Sequence, residues 1–330
     1  MDVEKETSRA ENHGVPEFQT DSQLVADSDF QKVVSKIFLS QGELRVGWRL
    51  VLYFAMAAAI FFLGTPLMQA VRPRRFEFLI RISLGELIFL VAAIIPSVVM
   101  ARVERRSWGA YGLATVNAFG RLFWVGTMWG IASLTLLMVG LRSAGAFYFG
   151  SVTLHGTRVL EFALFWAVFF LLVGLFEEFL LRGYTQFTLT QAIGFWPTAI
   201  VLSLAFGLIH LGNAHEALVG ALAAAAIGFF FCLTLWRTGN LWFAVGFHMS
   251  WDWGETFLYS VPNSGTVMPG HLLSSSFHGS PWITGGSVGP EGSVLAFVTV
   301  ALLWVMFDRI YPEVKYKIGR EESAPAVANT

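Results

Sequence analysis

From Gly47 onward, long apolar stretches alternate with short polar or basic links, at 47–70, 78–101, 121–143, 159–190, 195–212, 216–237, 241–260 and 291–311. A helix needs roughly 20 apolar residues to cross a hydrocarbon core, so the pattern predicts an all-α polytopic membrane bundle of about eight transmembrane helices. The fourth stretch is longer and carries charges near its middle, and Gly194 with Pro197 marks a turn before the fifth. Residues 159–212 are therefore expected as one helical hairpin. Residues 261–290, rich in Gly, Ser and Pro and without Asp, Glu, Lys or Arg, predict an irregular loop on the surface or folded back on the bundle.

The ends differ in character. Residues 1–46 carry Asp2, Glu4, Glu6, Glu11, Glu17, Asp21, Asp27, Asp29 and Glu43 against fewer bases, and show no sustained periodicity. They are expected as a polar, largely disordered tail. The division is thus 1–46 tail, 47–312 transmembrane domain, 313–330 polar C-terminal tail. No basic, apolar and small-residue leader is read at the start, so the first apolar stretch is expected to act as its own insertion signal.

Composition sharpens this picture. Of 330 residues, 55% are apolar and 14% charged, and the mean hydropathy is +0.59. A soluble domain would carry about a quarter charged residues. The formal net charge of −1 lacks the basic excess of a nucleic-acid binder, and the lone Cys232 excludes a disulfide or cysteine-zinc framework. Orientation follows from Lys and Arg placement. Lys32, Lys36, Arg45, Arg49, Arg102, Arg105, Arg106, Arg121, Arg182, Arg237, Arg309, Lys315, Lys317 and Arg320 fall on one side of an alternating topology. That majority predicts an integral protein of the cytoplasmic membrane with both termini cytosolic, although the Arg72-Pro73-Arg74-Arg75 link argues the other way.

A charge at the centre of a spanning helix costs about 2.5–3.5 kcal/mol on insertion scales, so each needs a partner or a role. Three places concentrate them. In Phe176-Glu177-Glu178-Phe179-Leu180-Leu181-Arg182, Glu178 and Arg182 lie four apart and can pair on one helix face. Glu177 points about 100° away and is free for another task, such as a general base whose proton affinity apolar surroundings raise. A paired cluster that only fixes packing is the other reading. In Phe206-Gly207-Leu208-Ile209-His210, Phe206 and His210 share a face and Gly207 lets a neighbouring helix approach. Glu177 lies 17 residues before Gly194 and His210 16 after it, so a turn there brings the two to one level. In His248-Met249-Ser250-Trp251-Asp252, His and Asp are one turn apart. Depth is the difficulty: His248 is ~13 Å past the Gly239-Asn240 turn and His210 ~24 Å past Gly194, so the earlier hairpin must protrude beyond the later turn. Glu86, near Arg81, is read as structural, Glu255 as supporting or interfacial, and Asn213 with His215 as a helix end.

Glu-Glu-x-x-x-Arg, then Phe-x-x-x-His, then His-x-x-x-Asp on successive helices resembles the CPBP family of intramembrane proteases, which includes type II CAAX prenyl endopeptidases, Abi proteins and bacteriocin-processing enzymes. The resemblance covers about residues 100–260, with Arg105-Arg106-Ser107-Trp108-Gly109-Ala110-Tyr111-Gly112-Leu113 similar to a link those proteins often have. It implies peptide-bond hydrolysis within the bilayer, near the cytosolic side, by a water activated between Glu177 and His210. It also implies that His248 and Asp252 steady the oxyanion or orient the substrate, with Glu178, Arg182 and Phe206 in support. An ionised Asp252 only accepts hydrogen bonds, so it must be protonated, orient His248, or bind a metal. Glu177, His210, His248 and Asp252 are acceptable ligands for zinc or a similar divalent ion, and a metal-free mechanism fits the same residues; the cofactor stays open. The partners implied are the bilayer and a peptide or lipidated membrane-protein substrate. CAAX processing itself would require a prenylating host. Two other functions remain: a non-catalytic binding or immunity factor of the same fold, and a proton-coupled transporter, for which no paired repeat is visible.

Overall fold

A computed structural model describes residues 37–40, 43–70, 77–114 and 117–316. The expected disordered tail lies for the most part outside these residues, as do the Arg72–Arg75 link and the end of the C-terminal tail. The chain divides into two compact units, 1–48 and 49–330. In the first, β1 (Leu39–Ser40) pairs antiparallel with β2 (Glu43–Leu44), Leu39 opposite Leu44. The Arg45 side chain donates to the Leu39 carbonyl at 3.1 Å, and the Phe38 ring lies on Trp48.

The second unit is helical, as the hydropathy pattern predicts. Its elements are α1 (Val46–Ala70), α2 (Glu77–Val103), α3 (Arg121–Ser143), α4 (Thr157–Glu178), α5 (Gln186–Ile193), α6 (Phe195–His210), α7 (Leu218–Thr238), α8 (Trp242–Trp253) and α9 (Val294–Ile310). Five helical stretches are long and apolar enough to cross a membrane: α1, α2, α3, the run 157–193 containing α4 and α5, and α7; α6 is a shorter apolar helix. Phe62 and Leu63 on α1 stand exposed, as side chains facing lipid do. The chain is an integral membrane protein.

Two π-helical segments interrupt the regular pattern. Phe179–Thr185 joins α4 to α5 with a kink at Gly183 (φ −82°, ψ −116°), and Gly254–Tyr259 extends α8. The turn expected at Gly194 is present, with φ +85°, so the hairpin of 159–212 stands with a kinked first arm.

Helices approach most closely where side chains vanish. A Cβ on Gly126 would run into the Phe243 carbonyl, and one on Gly246 into the Phe123 carbonyl, so α3 and α8 cross backbone to backbone. Gly207 plays the expected part for α6 against Ala221 of α7.

Of the two readings of the long loop, the structure shows the folded-back one. β3 (Phe147–Tyr148) pairs with β4 (Ser276–Phe277), and the Thr153 hydroxyl donates to the His271 carbonyl at 2.6 Å. Asn213 donates to the Ser264 carbonyl and Ser287 to the His215 carbonyl. The links 144–156, 211–217 and 260–293 thus gather at one end of this unit. At the other, Leu241 N–H donates to the Gly112 carbonyl, Trp242 Nε1 to the Ala114 carbonyl and Lys315 N–H to the Trp236 carbonyl. This alternation is what successive spans require.

Candidate active site

The last turn of α4 carries Glu177 and Glu178. Glu178 is completely buried, and its Oε1 lies 3.1 Å from Arg182 Nη1, the helix-face pair expected from the spacing. The same oxygen is 3.1 Å from His248 Nδ1 on α8, a contact the sequence did not foretell. The Arg182 guanidinium sits over the Phe206 ring at 4.5 Å and the Phe231 ring at 5.9 Å. It balances the buried carboxylate while two aromatic faces cover it.

His248 Nε2 faces Asp252 Oδ2 at 3.4 Å and Glu177 Oε2 at 3.6 Å. Both ring nitrogens therefore look at carboxylate oxygens, which accept a hydrogen bond from whichever nitrogen carries a proton. The ring stacks on Phe231 at 5.7 Å, which fixes its plane. His210 Nδ1 lies 2.8 Å from the Phe206 carbonyl. A carbonyl can only accept, so Nδ1 donates there, which leaves Nε2 as the ring nitrogen not engaged by that carbonyl.

These groups share one cavity of about 210 Å³, lined by Glu177, His210, His248 and Asp252. The depth difficulty resolves as the arithmetic requires. Phe206, 12 residues from Gly194, lies over His248, 8 residues from Asn240, with ring centres 6.3 Å apart. Counted along the helices, the α5–α6 turn stands ~6 Å farther out than the α7–α8 turn.

Three readings are refined. Glu86, read as structural, lines the cavity from α2, and Asn213, read as a helix end, lines it too. Glu255 is wholly buried, which removes the interfacial reading and leaves the supporting one; among the described residues its carboxylate oxygens make no hydrogen bond that meets the distance and angle limits. Glu291, which the sequence reading passed over, also lines the cavity; its Oε2 accepts from Ser264 N–H and Oγ, both at 2.9 Å. Its proximity arises from the fold-back of a loop, for which no local motif exists.

A divalent metal does not fit this arrangement. Among the described residues no group of three or more His, Cys, Asp or Glu side chains is placed to hold an ion.

Residues 159–254 match the family model described as type II CAAX prenyl endopeptidase Rce1-like. The resemblance read from the motif order is thus borne out over that segment, which contains Glu177, Glu178, Arg182, Phe206, His210, His248 and Asp252. No curated protein and no solved structure matches the chain.

Proposed function

We propose that the chain, whose segment 159–254 matches the CAAX-type endopeptidase family model, is an intramembrane endopeptidase that hydrolyses a peptide bond of a membrane-associated or lipidated substrate. The observation carrying this reading is the single cavity onto which Glu177, His210, His248 and Asp252 all face.

Glu177 lines the cavity, its Oε2 makes no hydrogen bond among the described residues and its nearest charged neighbour is His248 Nε2 at 3.6 Å, so in this reading Glu177 accepts a proton from water. Nε2 of His210, in the tautomer whose Nδ1–H meets the Phe206 carbonyl, supplies a second acceptor. A water held between them attacks the carbonyl carbon, Glu177 takes its proton, and the same proton passes to the departing amine as the C–N bond breaks. His248, donating from Nε2, stabilises the negative oxygen of the tetrahedral intermediate. Asp252 is a positioning residue in this scheme, since an ionised carboxylate would repel that oxygen and its nearest partner is His248. Glu178 and Arg182 anchor the ring from the opposite side. No step runs through a metal.

By the count of Lys and Arg we assign the arginine-rich end, and with it both termini, to the cytosol of a cytoplasmic membrane. The test is cleavage of an internally quenched farnesylated peptide by protein in nanodiscs. Activity lost in Glu177→Gln and in His210→Ala and retained with chelator is the expected outcome. Equal activity in both variants would remove these residues from the mechanism.

A further inference from the structure

We propose that Glu86 selects substrates that place a positively charged side chain, Lys or Arg, beside the scissile bond; this rests on the protease reading above. The cavity is lined by four carboxylates, Glu86, Glu177, Asp252 and Glu291, and two imidazoles, with no Lys or Arg in its wall among the described residues. Three of the carboxylates are engaged: Glu177 and Asp252 face His248, and Glu291 holds Ser264. Glu86 has no hydrogen bond or ion pair among the described residues.

Glu86 is fixed where it stands. One turn along α2, Phe89 stacks on Phe176 at 4.9 Å, and Phe176 immediately precedes Glu177. The two carboxylates are thereby presented to the same space from neighbouring helices. An acid in a spanning helix is costly and needs a partner, and this one faces the space a substrate would fill.

A carboxylate only accepts, and its strongest bonds are to charged N–H donors. Phe169, Phe170 and Val173 give the same cavity an apolar wall. A Lys side chain suits both features, its methylene stem lying on the rings and its ammonium reaching the carboxylate. A neutral residue of equal length would gain the first contact and forgo the second.

The experiment uses the full chain in nanodiscs and paired farnesylated quenched peptides. In each pair one position near the expected cut carries Lys or norleucine, and the position is walked across both sides of the bond. In one register the wild type should favour Lys by about tenfold in kcat/KM, or 1.4 kcal/mol, mainly through KM. Glu86→Gln, which keeps shape and removes charge, should bring that ratio to within about twofold. The ratio is internal to each protein sample, so a partly misfolded variant does not distort it. A ratio near one in every register of the wild type, or a preference that survives Glu86→Gln, would overturn the proposal while Glu177-dependent cleavage left the protease reading intact. Cleavage of no peptide, or cleavage indifferent to Glu177→Gln, would overturn both.

Discussion

Glu177 and Glu178 are consecutive, yet their surroundings differ, and the proposed mechanism gives them opposite tasks. Glu178 is closed in by Arg182 and His248 at 3.1 Å each, whereas Glu177 lines the cavity, with only His248 Nε2 near its Oε2 at 3.6 Å. Glu177→Gln should therefore lower kcat by about 10²–10⁴-fold, the range for losing a general base, with little change in thermal unfolding. Glu178→Gln should instead destabilise the fold by about 3–5 kcal/mol, since it leaves Arg182 buried without its counter-charge. Thermal denaturation beside single-turnover kinetics separates the two; a stable, inactive Glu178→Gln would contradict the division. A second residue-scale prediction concerns Glu291, on the loop ahead of α9. Burial, reinforced by the Asp252 charge, raises its carboxyl above the ordinary value. A folded pKa above the unfolded one contributes stability below the unfolded value, and that stability is lost as pH rises through the folded value. Glu291→Gln retains an acceptor for Ser264 and removes the titration. Its unfolding midpoint should rise relative to wild type near pH 8 and not near pH 4, around the unperturbed carboxyl value. A pH-independent difference would show that Glu291 titrates normally.

Among the elements, the motifs were legible because they are local: Glu178 with Arg182, Phe206 with His210 and His248 with Asp252 each sit one helical turn apart. Helix positions were legible too, since apolar run length sets them. The π segments were not, because a π turn leaves no hydropathy signature; Gly183 and Gly254 within them read as ordinary membrane glycines. π turns often mark functional sites, and these follow directly on Glu178 and Trp253, next to the two halves of the site. The first is held by a buried hub: Tyr184 OH donates to Glu104 Oε1 at 2.6 Å, and Arg49 spans Glu104 at 2.5–2.8 Å and Gln191 at 2.7 Å. Such a hub joins positions 55, 80 and 142 apart, beyond any sequence window. Tyr184→Phe removes one bond to a charged acceptor and should cost about 1.5–3 kcal/mol. If the hub also sets the phase of Arg182 and Glu178, kcat should fall while KM holds, and Glu104→Gln should be less than additive with it; additive losses confined to stability would make the hub structural only. Gly246→Ala tests the other support, because its methyl group would force α8, with His248, away from the Phe123 carbonyl of α3. Activity should fall together with the unfolding midpoint.

For the helical unit as a whole, two expectations drawn from the sequence pull apart. Alternating spans put Arg102, Arg105, Arg106, Arg121, Arg237, Arg309 and Lys315 at the end where Leu241 meets Gly112 and Lys315 meets Trp236. Arg142 and Arg158 lie toward the opposite end, where β3 meets β4. The bias of basic residues toward the cytosol then turns the links 144–156, 211–217 and 260–293 away from it. The cavity belongs to that second end: Asn213, Ser264 and Glu291 of those links line it, and His210 closes the helix that leads into 211–217. Charge therefore predicts a site approached from the non-cytosolic face, whereas the family resemblance implied the cytosolic side. Cysteine accessibility decides between them. Cys232 is buried, so a Cys232→Ser background can carry Glu313→Cys at the arginine-rich end or His278→Cys at the other, both exposed positions. With a membrane-impermeant maleimide on intact cells, His278→Cys should label at once and Glu313→Cys only after permeabilisation. The reverse pattern would show that the contrary Arg72–Arg75 link outweighs the other arginines, and would open the cavity to cytosolic peptides. The outcome fixes the compartment in which the scissile bond must be presented, and so which substrates can reach Glu177.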